Sequence, residues 1–403
     1  MDTGQVRGGV DPHPLEFTGR GGEFFRVWIV NLLLSIVTLG LYTPFARRRT
    51  AQYFYGNTWV AGSPLEFSAQ QRRMVFGFLV LVALYVAFKL AADTGQDTAV
   101  SLFMLAGAAL APWFWGSAMR FRLGATRWRG VRLQFAASWG EIYKASWPVF
   151  ALALVWMAVM ALVSVISPEA APAAAAGARP RMPGFGPAVA GLFVLGLVLS
   201  VLCIIRLEFN FKSLLVKRAR VGDQAGRWKP VYGDFVRIWL ATLGVFLLCV
   251  VLAGVLLGVL FGGSIAMFSG LKGGGLKAVM LVVVAGVLAI FLLLLASAPA
   301  RAYREARLFQ LVWSNVGVSQ IARFKCNLRA RRYVALRLKN MLLTLLTLGF
   351  YRPYAMLSEY RMKTESVTLH HTGGVDLLAG QLVVQQGGLG DAVADAVGLD
   401  LVG

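Results

Sequence analysis

The chain is poor in the residues that most enzymes use. Its 403 residues include three histidines, three cysteines and 19 acidic side chains against 40 basic ones. Cys203, Cys249 and Cys326 are scattered, which suits neither a disulfide framework nor a zinc site. His13, His370 and His371 lie near the two ends; an adjacent pair such as His370–His371 would point to opposite sides of a strand, and all three read as surface residues. No G-x-x-x-x-G-K-[ST], H-E-x-x-H or G-x-S-x-G motif occurs. No charge stands at the centre of a long apolar run, where ion and proton paths usually place one. The sequence therefore predicts no catalytic residue, no metal and no cofactor, and a protein that is not an enzyme.

Apolar residues are what the chain has in excess: 58% are hydrophobic and the mean hydropathy is +0.66, far above soluble usage. A hydrocarbon core of roughly 30 Å takes about 20 helical residues. Runs of that length occur at Met74–Ala92, Ala99–Met119, Trp147–Ser167, Gly186–Ile205, Ile238–Gly263 and Ala278–Ala300, which predicts six transmembrane helices. Two further segments, Val27–Tyr42 and Met341–Phe350, are shorter and carry Asn, Ser or Thr. At about 1.5 Å per residue they reach roughly 24 Å and 15 Å, less than a comfortable span. Nothing resembling a secretory signal precedes the first of these segments.

Charge orients the spans, because Lys and Arg beside membrane helices stay on the cytoplasmic side. Connectors 46–73, 119–145, 206–237 and 301–339 hold 5, 6, 8 and 10 basic residues, whereas 92–98, 167–187 and 263–277 hold 0, 2 and 2. The four basic connectors are expected in the cytoplasm. Most of the net charge of +21 is thus topology. Nucleic acid is not an expected partner, since the basic residues are dispersed over four loops beside a bilayer. Anionic lipid headgroups are, at about 1 kcal/mol per basic residue near the surface.

The chain also repeats itself. Asn31–Ala46 (NLLLSIVTLGLYTPFA) matches Asn340–Ala355 (NMLLTLLTLGFYRPYA) at nine of sixteen positions without a gap, and six of those identities are not leucine. Smaller echoes link Leu15–Arg26 with Leu133–Lys144, and Gly22–Trp28 with Gly233–Trp239. In each, a glycine precedes a carboxylate (Glu23, Glu141 or Asp234) at a position that suits the positive end of a starting helix, followed by aromatics for the interface. These acids read as helix anchors.

If Gly22 begins a helix on the basic side, and Arg47, Arg48 and Arg49 end the segment on the same side, the segment cannot cross. Thr38–Pro44 supplies the break, with Gly at a helix end and Pro after it, and the same break recurs at Thr347–Pro353. Both terminal segments are expected to dip into the bilayer and return; two ordinary crossings are the alternative. Thr58–Phe67 and Thr126–Phe135 share Thr-x3-Gly-x2-Leu-x-Phe and read as β-hairpins, with Val367–Leu377 as a third. The expected fold is an all-α polytopic membrane protein with small cytoplasmic β-hairpins: an N-terminal segment 1–22, one membrane domain 23–371 and a mobile tail 372–403. Ser167–Pro187, with five prolines, is expected to be a disordered loop.

Candidate functional residues follow from the repeat and the charges. Asn31, Thr38, Tyr42, Asn340, Thr347 and Tyr351 could line a polar pocket beside broken helix ends, or simply hydrogen-bond neighbouring helices. Arg47, Arg48, Arg49, Arg72 and Arg73 are candidate headgroup contacts. Gly254, Gly258 and Gly262 form a small-xxx-small ridge suited to helix packing.

The stretches F-T-G-R-G-G-E-F-F-R-V-W-I-V-N, T-L-G-L-Y-T-P-F-A-R-R-R, N-T-W-V-A-G and T-L-G-F-Y-R-P-Y-A resemble the YjgN family of bacterial multi-pass inner-membrane proteins, a domain of unknown function. The resemblance covers roughly residues 15 to 370. The second copy departs from the first by Arg352 before its proline, Tyr354 after it and the loss of the arginine triplet. The resemblance implies an inner-membrane location and supplies no reaction. Two function classes remain: a transporter-like or solute-binding protein built around the related ends, and a non-catalytic envelope scaffold that binds anionic lipid or a cytosolic partner.

Overall fold

The computed structural model describes residues 10–166, 186–222, 224–269, 276–318 and 322–372. Val10–Pro14 (β1) and Glu16–Phe17 (β2) lead into two helices, Gly21–Val37 (α1) and Thr43–Gly56 (α2). A strand pair, Thr58–Val60 (β3) and Ser63–Phe67 (β4), precedes Gln71–Asp93 (α3) and Asp97–Gly124 (α4). Thr126–Trp128 (β5) and Val131–Phe135 (β6) precede the short Trp139–Ala145 (α5), then Trp147–Ile166 (α6) and Pro187–Arg218 (α7). Ala219–Val221 (β7) and Gln224–Trp228 (β8) precede Tyr232–Ser269 (α8) and Leu276–Asn315 (α9). Val316–Val318 (β9) and Ala322–Cys326 (β10) precede Ala330–Leu346 (α10) and Arg352–Glu365 (α11), and Val367–Thr372 (β11) comes last.

This architecture corrects the expected all-α fold with isolated small hairpins. The eleven strands belong to one sheet, in the order β1-β11-β10-β9-β8-β7-β6-β5-β4-β3-β2. Every pair with a defined register is antiparallel. The β3–β4 and β5–β6 hairpins exist, but as neighbouring parts of that sheet. Of the third expected hairpin, Val367–Leu377, the described part Val367–Thr372 is a single strand, β11, between β1 and β10; residues 373–377 lie outside the described residues. The two edges of the sheet are consecutive in the chain, separated only by Leu15, whose N–H donates to the Val367 carbonyl at 2.9 Å.

Local chemistry explains the hairpins. Ala61 and Gly62 have φ of 47° and 76°, and Arg129 and Gly130 have 48° and 79°. Two-residue connections with both residues at positive φ match the strands' twist, and glycine adopts that region without steric cost. Where a helical pair rejoins the sheet, one hydrogen bond recurs. The N–H just after the outgoing strand donates to the carbonyl just before the returning one: Thr18 to Asn57 (3.0 Å), Ser68 to Ala125 (2.8 Å), Ala136 to Arg218 (2.9 Å) and Asn327 to Ser366 (2.8 Å).

Among the described residues six helices are long and apolar enough to cross a membrane: α3, α4, α6, α7, and the Tyr232–Leu256 and Gly286–Asn315 parts of α8 and α9. Their apolar side chains are largely exposed, Leu81, Leu105, Leu154, Leu195, Val255 and Leu294 among them, as lipid-facing surfaces require. α1 and α10, at 17 residues each, are not among these six.

The chain divides into two compact units, residues 76–124 with 133–220, and the remainder. In the smaller unit, Phe135, Ala137 and Ile142 are buried with Trp115 and Leu214 against them. Helix α5 opens with a capping box in which the Ser138 hydroxyl accepts from the Glu141 N–H and the Glu141 carboxylate accepts from the Ser138 N–H. Glu141 is thus the helix anchor its position implied, and it also pairs with Arg218. In the larger unit, Trp128, Val131, Ala302, Ala306, Cys326, Tyr333, Val367 and Leu369 form the main buried cluster. A second cluster joins Phe17, Phe24, Phe54 and Leu357. His371 belongs to that interior too: only 1% exposed and stacked on His13 at 4.8 Å, it is not the surface residue expected, because β11 is an inner strand of the sheet. Residues 167–185 and 373–403, expected as loop and tail, lie outside the described residues.

Candidate functional site

The two terminal repeats fold into the same device, a helical hairpin that leaves one strand and returns to its neighbour. α1–α2 runs from β2 to β3, and α10–α11 from β10 to β11; both strand pairs are hydrogen-bonded antiparallel. Helix lengths agree residue for residue, 17 and 14 in each copy. At the tips, Leu39 and Gly40 have φ of 49° and 89°, and Leu348 and Gly349 have 50° and 97°. Each segment therefore begins and ends on the sheet.

The six residues proposed for a polar pocket maintain these hairpins. Asn31 and Asn340 are buried, and each side-chain amide donates across its own hairpin, to the Ala46 carbonyl at 3.4 Å and the Ala355 carbonyl at 3.3 Å. The Thr38 and Thr347 hydroxyls accept from the Tyr42 and Tyr351 N–H groups at 3.0 Å and close the turns. Among the described residues no hydrogen bond joins one set of three to the other. Arg47 and Arg49 are exposed on α2 with Arg48 half-buried, and Arg49 lies 5.9 Å from the Tyr42 ring; Arg72 and Arg73 are exposed at the start of α3. Gly254 and Gly258 have no neighbouring atom within 4 Å of where a Cβ would stand; the surroundings of Gly262 lie outside the described residues.

The copies differ in their interiors. Phe24, Trp28, Thr50 and Phe54 of the first are replaced, at the same offset, by Tyr333, Arg337, Glu359 and Lys363 in the second. In the first hairpin, Phe24 and Phe54 pack edge to face at 4.8 Å. In the second, Arg337 Nη1 donates to Glu359 Oε2 at 2.6 Å and to the Tyr333 hydroxyl at 3.2 Å. Glu305 of α9 joins this network, 3.2 Å from Arg337 and paired with Lys363. The Asn340 amide donates to Ser358 Oγ at 3.0 Å and Glu359 Oε1 at 3.1 Å. Burial opposes the Arg337 charge, but Glu359 and Glu305 more than offset it and hold its pKa above the ordinary arginine value. Burial, and then Glu305, push the Tyr333 hydroxyl upward, so it stays neutral.

Beside this network a groove of about 670 Å³ opens between α9, α10 and α11. Its lining is apolar at Leu294, Met341, Leu345, Leu348 and Met356 and polar at Arg301, Arg337, Asn340, Arg352 and Glu359. Arg352 stands at the tip turn, where its N–H donates to the Gly349 carbonyl. Arg337 is committed to its two carboxylates. Arg301 and Arg352 are exposed and have no ion pair among the described residues. An apolar wall bordered by guanidinium groups that have no ion pair among the described residues suits a molecule with a hydrocarbon part and an acidic head.

The family described as "Bacterial protein of unknown function (DUF898)" matches residues 12–396. The chain belongs to this family. DUF898 also brings the YjgN resemblance into focus: the chain is 28% identical over 155 residues to inner membrane protein YjgN of Salmonella typhimurium, covering 38% of each protein. It is 27% identical over 164 residues to inner membrane protein YjgN of Escherichia coli strain K12, covering 41% of this chain and 40% of the relative. The matched stretch thus spans about two fifths of those relatives' length. No solved structure matches. With its six membrane-capable helices, this DUF898 member is a multi-pass protein of the bacterial inner membrane.

Glu305, Lys363 and Arg301 escaped sequence reasoning, and Arg352 was seen only as a departure of the second repeat from the first. A signal existed. Aligning the hairpins beyond their sixteen-residue match places Arg337 on Trp28 and Lys363 on Phe54, two charges gained on an interior face.

Proposed function

We propose that this DUF898 member is a solute-binding, transporter-like protein whose ligand is an amphiphile with an acidic head. The observation that carries the reading is that one groove is lined both by Arg301 and Arg352, without acidic partners among the described residues, and by the apolar Leu294, Met341, Leu345 and Leu348. The head would lie on the two guanidinium groups, where charge-assisted hydrogen bonds to oxygen anions are strongest. The tail would cover the apolar wall. The reading is of a binding protein rather than an enzyme, because the polar groups beside the groove, Asn340, Arg337 and Glu359, are already engaged in holding α10 to α11.

Native mass spectrometry of the purified protein after exchange into mixed phosphatidylglycerol and phosphatidylcholine tests this. The wild type should retain phosphatidylglycerol selectively, and the double variant R301A/R352A should lose that selectivity. The double variant R47A/R49A, which removes two exposed arginines from the other hairpin, should keep it. Equal retention by all three proteins would refute the groove as the binding site.

A second reading, a scaffold that binds anionic headgroups over a wider surface, draws on the exposed Arg47, Arg49 and Arg72. Under it, R47A/R49A would lose as much lipid as R301A/R352A.

A further inference from the structure

We infer that the two T-L-G-x-Y tips are buried in the hydrocarbon of the leaflet adjoining the sheet, and that the groove is consequently filled sideways from the bilayer rather than from water.

Exposure at the tips is extreme and apolar. Leu39 is 95% exposed and Leu348 91%, and around them Ile36, Val37 and Leu41, then Leu345, Leu346 and Phe350, are exposed as well. Such a cluster in water would carry a large hydrophobic cost, roughly 25 cal/mol per Å² left uncovered.

Hydrogen bonding removes the usual objection to a turn in lipid, which is the cost of stranded backbone donors. In the first tip every N–H from Thr38 to Thr43 has a partner. Thr38 donates to Leu34, Leu39 to Ile36, Gly40 to Ser35, Leu41 to Thr38 and Thr43 to Gly40, while Tyr42 uses the Thr38 hydroxyl. The second tip repeats the set from Thr347 to Arg352, with Tyr351 on the Thr347 hydroxyl. The threonine and glycine shared by both copies are the residues this closure needs.

Depth follows from α9, whose Gly286–Asn315 part is a candidate span. Leu345, Leu348 and Gly349 line the same groove as Leu294 and Ser297 of that helix. Leu294 precedes the first groove arginine, Arg301, by seven residues, or about 10 Å along a helix axis. With Arg301 at headgroup level, Leu348 at the C-terminal tip lies up to about 10 Å inside the hydrocarbon, well short of the roughly 30 Å needed to cross. The long stem of Arg352 at the base of that tip lets its guanidinium group reach back toward the headgroups. The tip leucine is then both a membrane anchor and the rim of the groove. The sideways entry rests on the proposed amphiphile site; the burial of the tips does not.

Photo-crosslinking tests the inference in full-length protein reconstituted into vesicles of phosphatidylethanolamine and phosphatidylglycerol. p-Benzoylphenylalanine in place of Leu39 or Leu348 should attach to phospholipid, read as a lipid-sized mass increase, whereas the same group in place of the exposed Glu66 on β4 should not. The adduct at position 348 should persist in the R301A/R352A background, because burial of the tip does not need a ligand in the groove. Adduct formation at positions 39 and 348 no greater than at position 66 would overturn the inference, whatever the groove binds.

Discussion

Arg337 Nη1 donates to Glu359 Oε2 at 2.6 Å, across a hairpin whose N-terminal twin has Trp28 and Thr50 at the same two positions. One frame thus holds an aromatic interior in one copy and an ionic one in the other. A charge pair costs desolvation and is kept only with good geometry and further hydrogen bonds, both of which Glu305, Tyr333, Asn340 and Lys363 provide. The ionic copy is also the copy that borders the groove.

Removing Glu305 should therefore destabilise the protein more than a surface substitution. Arg337 keeps Glu359, but Lys363 loses its carboxylate partner while lying against Tyr333 and Phe309. Glu305→Gln is expected to cost about 1–2 kcal/mol, between an exposed pair and a fully buried one. Thermal unfolding in detergent checks this, with Glu16→Gln, at an exposed position, as the surface comparison.

The two asparagines should differ in the same assay. Asn340 donates to Ala355, Ser358 and Glu359, whereas Asn31 makes one bond at 3.4 Å. Asn340→Leu removes all three bonds, leaving Glu359 with Arg337 alone and the Ala355 carbonyl with the Ser358 hydroxyl, and should cost about 1–3 kcal/mol; Asn31→Leu should cost clearly less. Equal losses would mean that the ionic network adds nothing to the second hairpin.

Much of this was legible in the residues. All six long apolar runs became helices, Trp147–Ile166 close to the expected Trp147–Ser167, because hydrocarbon thickness sets a minimum length. α7 and α9 run on past Ile205 and Ala300 to Arg218 and Asn315, into the basic connectors where hydropathy no longer marks a helix. The T-x3-G-x2-L-x-F pattern located two hairpins because a type I′ connection demands glycine. The single sheet was not legible. Strands such as Val316–Val318 are too short to show alternation, and β11 finds β1 more than 350 residues away in the chain, a pairing that leaves no local trace. The ionic network was hidden likewise, since Glu305 and Lys363 lie 58 residues apart on different helices.

Glycine at the tips should be irreplaceable without cost. Gly349 has φ of 97°, a region that L side chains rarely adopt, although a Cβ there would meet no atom within 4 Å. Gly349→Ala should lower stability by about 1 kcal/mol or more through backbone strain alone. The exposed helical Gly22→Ala, with open space and no such φ, should be neutral or slightly stabilising.

Acid should weaken the start of α5. The Ser138 N–H, assisted by Arg218 and opposed by partial burial, holds the Glu141 carboxyl below its ordinary value. The folded state therefore binds this proton less readily than the unfolded chain. The resulting stability is present above the ordinary glutamate range and is lost as pH falls through the lowered value. Glu141→Gln should flatten the acid limb of the stability profile, and Ser138→Ala should cost about 1 kcal/mol at neutral pH.

The central claim is that the groove between α9, α10 and α11 holds an acid-headed amphiphile. Its most direct test is a cryo-electron microscopy map of the protein in nanodiscs containing phosphatidylglycerol. The account predicts elongated density along Leu294, Met341 and Leu345 with its head in contact with the Arg301 and Arg352 side chains. A map in which those side chains are resolved and the groove is empty would contradict it.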